Sequence, residues 1–264
     1  MSAERLAALF EAVRAEGRAA FLPFMTAGLP TPEDSLAIFE SLEGADGYEV
    51  GIPYSDPLMD GPTIQEAGQR ALAAGTTLTS ALELVERLVT STNKPVLVMT
   101  YANVVFQVGP ARFAERVSAS GASGVIVADL PFEESRPVQD AIEDAGLGMA
   151  LFVAPLTGDD RIARIAGARP AFIYGVAEVG VTGEREVSGG RAIDLSQRVR
   201  AITDVPLVMG VGISTPQQAA VVGSHADGVI VGSALVRKVL DAPNVAEAAA
   251  AVRSLSAALA ASLR

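Results

Sequence analysis

LVMGVGISTPQQAAVVGSHADGVIVGSALV, residues 207–236, holds two short apolar, β-branched runs, at 207–211 and 228–231. They are separated by a stretch long enough for one helix and followed by another helix that runs to Leu240. Strands joined through helices pair in parallel, and a parallel sheet buried on both faces reads as near-continuous apolar runs rather than as alternation. Outward from this unit, six more such runs precede it, at 20–26, 47–51, 96–101, 124–128, 149–153 and 172–176. Helical spacing fills the gaps, as in Leu82, Val85 and Val89 before the third run and Phe113 and Val117 before the fourth. Eight strand-helix units predict an α/β fold, a single (β/α)8 TIM barrel. A doubly wound open sheet shares the alternation but usually has fewer strands per domain. Leu6, Leu9, Phe10 and Val13, with Gly17 as a stop, predict an extra N-terminal helix over 2–16. Asn244 and Glu247 start an Ala-rich helix that ends near Leu263. No linker divides the chain, so residues 1–264 read as one domain.

Composition narrows the chemistry. The 264 residues are half hydrophobic, with 25 Gly and 15 Pro, enough for one large core. A formal net charge of −11 argues against a nucleic-acid partner, which needs a basic face, and gives an anionic substrate no long-range steering. Local dipoles must hold any such substrate. Zero cysteines exclude disulfides, thiolate catalysis and Cys-ligated metals, and the single histidine, His225, excludes a His cluster. His225 falls in the connection before the eighth run and reads as a surface residue. No uninterrupted apolar stretch is long enough for a membrane span, and Glu4, Arg5, Glu11 and Arg14 break up any signal-peptide core, which points to the cytoplasm.

Two carboxylates, Glu49 and Asp60, flank a loop stiffened by Pro53, Pro57, Gly61 and Pro62. A lone Asp or Glu in a loop usually caps, turns or is solvated. Glu49, however, sits where a strand runs out, and a buried carboxylate there costs about several kcal/mol unless it is paired or its pKa is raised. The pair has the layout of an acid/base couple. The glycines after runs seven and eight, Gly210, Gly212 and Gly232 followed by Ser233, allow close backbone approach at a helix start. Each alone reads equally well as a turn; together, beside the last two strands of a barrel, they predict a phosphate site. The segment GVTGEREVSGGR, 180–191, is long and glycine-rich and reads as a lid or as a surface insertion.

With YEVGIPYSDPLMDGPTIQ (48–65), PFMTAGLP (23–30), VMTYANVVF (98–106), VADLPFEES (127–135), GVTG, GVGIS and GSALV in order, essentially the whole chain resembles the α subunits of tryptophan synthase. The resemblance implies retro-aldol cleavage of indole-3-glycerol phosphate to indole and glyceraldehyde 3-phosphate. Indole then passes to a β subunit within an α2β2 assembly. It implies no cofactor or metal in this chain, with pyridoxal phosphate in the partner β subunit. Glu49 is implied as the acid/base and Asp60 as the partner of the indole N–H. Gly183, Gly212, Gly232 and Ser233 are implied as phosphate contacts, and Tyr174 is placed near Glu49 and the substrate. Thr182 is implied to join the closed lid to Asp60. Phe24 and Ile64 are candidates for the indole pocket or for core packing, and Tyr101 for the site or for a satisfied core hydroxyl. Glu178 stands where some relatives carry a basic residue, and neither it nor Arg185 receives a role.

Retro-aldol enzymes use a Schiff-base lysine, a divalent metal or acid/base groups alone. The two lysines, Lys94 before run three and Lys238 inside the last barrel helix, are both poorly placed for the barrel mouth. Carboxylates by themselves are able to hold Mg²⁺, but the usual metal cluster is absent from the sequence. Acid/base chemistry by Glu49 is therefore expected, with Asp60 ionised to stabilise positive charge on the indole nitrogen. Other readings are a stand-alone indole-releasing lyase, a non-catalytic phosphate-binding activator subunit, and another phosphate-binding barrel enzyme. The last shares the glycines of runs seven and eight but lacks the Glu49/Asp60 pair.

Overall fold

A computed structural model describes residues 2–176, 190–210 and 212–264. Eight strands, β1 (Ala20–Thr26), β2 (Tyr48–Gly51), β3 (Val96–Thr100), β4 (Gly124–Val127), β5 (Gly148–Val153), β6 (Phe172–Val176), β7 (Leu207–Gly210) and β8 (Gly228–Val231), follow one another around a closed barrel. All pairs are parallel, and β1 pairs with β8 in the register Ala20↔Gly228 to Pro23↔Val231. That last pairing closes the sheet and excludes the open doubly wound alternative. The expected runs match the strands to within a residue at either end. Tyr101 leaves β3 because it is already the N-cap of α5 (Ala102–Val108), and Val211 lies outside the described residues.

The interior is filled by alternate residues, so glycines appear where neighbours need the room. A Cβ on Gly124 would come within 2.6 Å of the Gly148 carbonyl and 3.0 Å of Leu6. Leu6 belongs to α1 (Ser2–Ala15), the expected extra helix, and so plugs the barrel at the N-terminal ends of the strands. Phe10, one helical turn further, packs its ring 5.9 Å from that of Phe172. The helix thus seals one mouth and leaves the other for chemistry.

The sealed end is also held electrostatically. The buried Asp227 carboxylate accepts from Arg14 Nε at 2.7 Å and from the Leu207 N–H at 2.8 Å, with Arg200 Nη2 at 3.4 Å. Burial alone would raise this carboxyl, but the hydrogen bonds and the two guanidinium groups outweigh burial and hold it below its ordinary value. Asp227→Ala should cost about 1–3 kcal/mol, discounted because Arg14 and Arg200 are half-exposed. A carboxyl lowered on folding adds stability above its unfolded pKa and loses it as the pH falls through the folded value. Urea unfolding should therefore show the gap between wild type and variant shrinking on acidification.

Helices pair up where the chain needs extra length. After β2 come α3 (Pro62–Ala73) and α4 (Leu78–Thr92), and after β3 come α5 and α6 (Pro110–Ala119). Leu82 and Val85 in α4, and Phe113 and Val117 in α6, are buried as their spacing predicts. The seventh crossover is α10 (Pro216–Gly223), and after β8 come α11 (Ser233–Asp241) and α12 (Val245–Ser262). Asn244 caps α12 by accepting from the Glu247 N–H at 2.9 Å. Interrupted by Glu247 and Arg253, α12 still reaches the length and mean hydropathy, 1.2, at which a helix is able to cross a membrane. It nevertheless lies against the barrel, burying Ala248, Val252, Ser256, Leu259 and Ala260. His225, expected at the surface, is half-buried in the turn before β8, where its carbonyl accepts from Arg200 Nε at 3.2 Å.

Candidate active site

Register places Glu49 opposite Phe24 of β1 and Leu97 of β3, so the carboxylate points into the open half of the barrel. It is 3 % exposed, and among the described residues its Oε2 has no hydrogen-bond partner. Burial, and secondarily the charge of Asp60, push the Glu49 carboxyl up to about 8. At neutral pH it therefore holds a proton that it is able to release within an easily reached range.

The connection from β2 to α3 brings Asp60 back towards Glu49. The Ile52 N–H donates to the Met99 carbonyl at 2.9 Å, fixing the loop's start, and the Asp60 N–H donates to the Pro57 carbonyl at 3.1 Å. Gln65 Nε2 then holds the Asp60 carbonyl at 2.8 Å, while Gly61 and Pro62 begin α3. Asp60 is half-buried, and burial raises its carboxyl while the Tyr101 hydroxyl opposes the shift. That hydroxyl is buried and lacks a hydrogen bond of full geometry; it faces Asp60. Burial and then the Asp60 charge raise Tyr101 well above the ordinary phenol value. Tyr174 is raised by burial first, then by the charges of Glu49 and Asp60.

Two strand-end glycines exist to seat aromatic rings. A Cβ on Gly210 would lie 2.4 Å from the Tyr174 hydroxyl, and one on Gly51 would lie 2.5 Å from two ring carbons of Phe24. A Cβ on Gly232 would lie 3.1 Å from the same ring. Gly51→Ala should thus displace Phe24 and cost about 1–3 kcal/mol, visible as a lowered thermal midpoint. Phe24, Asp60 and Ile64 line one cavity together with Thr26, Tyr54 and Met99. Its volume is only about 10 Å³, room for about one water, so any larger ligand needs these side chains to part.

The two helix starts after β7 and β8 differ in what they offer an anion. At α10 the Thr215 side chain accepts from the Gln218 N–H, and Gln218 Oε1 accepts from the Ser214 and Thr215 N–H groups. At α11, by contrast, no side chain caps the helix, which begins at Gly232 and Ser233. The backbone N–H groups at the start of α11 are thus without a side-chain cap, and Gly212, at φ +77°, lies in the turn after β7. Thr182, Gly183, Glu178 and Arg185 lie outside the described residues, as does most of the segment 180–191.

Neither lysine approaches this mouth: Lys94 Nζ donates to the Ala45 carbonyl at 2.6 Å, and Lys238 is exposed on the outside of α11. Among the described residues no three His, Cys, Asp or Glu side chains group as metal ligands. Thr26, Met99 and Tyr54 were not anticipated as site residues. Tyr54 carried a signal, an aromatic between two prolines in the acid/base loop, but only the fold reveals that its ring stacks on Tyr101, 5.1 Å between centroids.

A sequence model of the family described as "Tryptophan synthase alpha chain" matches residues 10–262. The tryptophan synthase alpha chain of Gloeobacter violaceus is 48% identical over 237 residues, covering 88% of this chain and 86% of that relative. That of Streptomyces avermitilis is 42% identical over 255 residues, covering 96% and 92%. A solved structure of Mycobacterium tuberculosis tryptophan synthase superposes with a TM-score of 0.88 at 37% identity, over 98% of each chain.

Proposed function

Since the chain belongs to the tryptophan synthase alpha chain family, we propose that it cleaves indole-3-glycerol phosphate to indole and glyceraldehyde 3-phosphate in tryptophan biosynthesis. The single observation that carries this reading is Glu49: buried, without a hydrogen bond on Oε2 among the described residues, raised to about 8, and beside Asp60. Protonated Glu49 gives its proton to indole C3, which converts the ring to a 3H-indolium cation and a good leaving group. The Glu49 carboxylate then takes the proton from the glycerol hydroxyl next to the scissile bond. As the aldehyde C=O forms, the electrons of the C–C bond return to the ring, and indole leaves. One proton enters and one returns, so Glu49 ends as it began. Asp60, ionised, stands against the ring nitrogen and stabilises the charge that develops there.

The phosphate rests on the Gly212 turn and the uncapped start of α11 at Gly232 and Ser233, completed by Gly183. Phe24, Ile64 and Tyr174 enclose the indole. The chain acts as one barrel domain in the cytoplasm, without a cofactor of its own, and pyridoxal phosphate belongs to a β subunit that receives the indole in an α2β2 assembly. Exposed apolar side chains support that partnership: Leu58 and Met59 on the acid/base loop and Phe106 on α5. Indole release should be measured for the chain alone and with the β subunit, alongside size-exclusion chromatography. Co-elution with faster turnover is expected. Equal turnover without co-elution identifies a stand-alone lyase, and no indole release in either case identifies a non-catalytic activator.

A further inference from the structure

Building on the lyase reading, we propose that Tyr54 is a positioning residue that latches the acid/base loop to α5 and so sets where Asp60 stands. Between Ile52 and Gly61 the loop's bonds are mostly its own: Ser55 Oγ to Asp56 at 2.6 Å, the Leu58 N–H to the Asp56 carbonyl, and the Asp60 N–H to the Pro57 carbonyl. Gln65 adds a bond from α3, the helix this loop enters. Among the described residues, two side chains of more distant elements reach the loop: the Tyr101 hydroxyl, which faces Asp60 and the Met59 backbone, and Asn103. Asn103 Nδ2 of α5 donates to the Tyr54 hydroxyl oxygen at 3.1 Å.

The Tyr54 ring stacks on Tyr101, at an interplanar angle of 27°, and Tyr101 is 2 % exposed. A buried ring with a neighbour flat against one face cannot swing, so the Tyr101 hydroxyl is kept aimed at Asp60. The chain of contact runs from Asn103 through Tyr54 to Tyr101 and Asp60. At its Tyr101 end it also reaches the backbone of Met59, a residue whose side chain is exposed at the loop tip.

The full chain, without a partner, tests this through four variants. Tyr54→Phe keeps the ring and removes the acceptor; Asn103→Ala removes the donor; the double variant removes both; Tyr54→Leu removes bond and stack. Each single loss of the hydrogen bond should lower kcat about 3–10-fold, and the double variant should be no worse than either, because both remove one interaction. Tyr54→Leu should lower kcat about 30–100-fold. The affinity for glycerol 3-phosphate, a probe of the phosphate end alone, should stay within about twofold in all four variants, and KM within about twofold in Tyr54→Phe and Asn103→Ala, which leave the cavity wall in place. Hydrogen exchange of the amides at 52–61 should quicken in Tyr54→Leu while that of the strands does not.

Wild-type kcat and exchange in Tyr54→Leu would overturn the proposal, as would singles whose effects multiply in the double variant. A parallel loss of glycerol 3-phosphate affinity would mean general damage instead. If the wild type itself releases no indole, the lyase reading fails, while the exchange of 52–61 still decides whether Tyr54 is a latch.

Discussion

Glu49→Gln is expected to lower indole release at least ~100-fold, the usual scale for a lost acid/base group, while the barrel stays folded. Glutamine keeps the shape of the side chain opposite Phe24 and Leu97 but can neither protonate indole C3 nor take the hydroxyl proton. The same variant should be more stable than the wild type above neutral pH. The Glu49 carboxyl rises on folding to about 8, so between its unfolded pKa of about 4.3 and that value the folded chain binds the extra proton. Stability contributed by such a group falls as the pH rises through this window, and the variant removes the loss. Thermal melts across the window should show the two curves diverging in the variant's favour towards alkaline pH. A variant that is inactive and more stable has lost chemistry and not structure; wild-type turnover in it would refute the assignment.

Asp60→Asn is the second large loss, again at least ~100-fold in kcat, because it removes the charge set against the indole nitrogen. The loop should survive, since its anchors, the Asp60 N–H, the Asp60 carbonyl, the Ile52 N–H and the Tyr54 side chain, do not involve the Asp60 carboxylate. A separate signature follows from the coupling of the two carboxylates. The Asp60 charge helps to raise Glu49, so its removal should lower the Glu49 pKa, and Glu49 should ionise at a lower pH in the variant. Carboxylate NMR of Glu49 in both proteins measures this. An unmoved or raised Glu49 titration would mean that the two groups do not share one site.

The barrel was legible because its strands are buried on both faces and therefore read as apolar runs, whatever their neighbours. Closure itself was not written in any one run; it depends on β1 meeting β8, a pairing between the two ends of the barrel. Glu49 and Asp60 were legible as residue types around a proline-stiffened loop. Their burial and the raised pKa of Glu49 come from side chains far apart in sequence. Gly210 shows the limit: read as part of a phosphate turn, it leaves no room for a Cβ because Tyr174 fills that space. Of the two neighbouring helix starts, only the fold distinguishes the capped α10 from the uncapped α11. Tyr54 was hidden for the same reason, since a stack between loop and strand end leaves no periodic trace.

The most direct measurement is a crystal structure of the Glu49→Gln variant with indole-3-glycerol phosphate bound, where slow turnover preserves the substrate. The account predicts an Asp60 carboxylate oxygen within hydrogen-bond distance of the indole N–H, the position-49 side chain at C3 and the adjacent hydroxyl, and the phosphate at the start of α11. Asp60 on the glycerol hydroxyl, with the position-49 side chain away from C3, would contradict it.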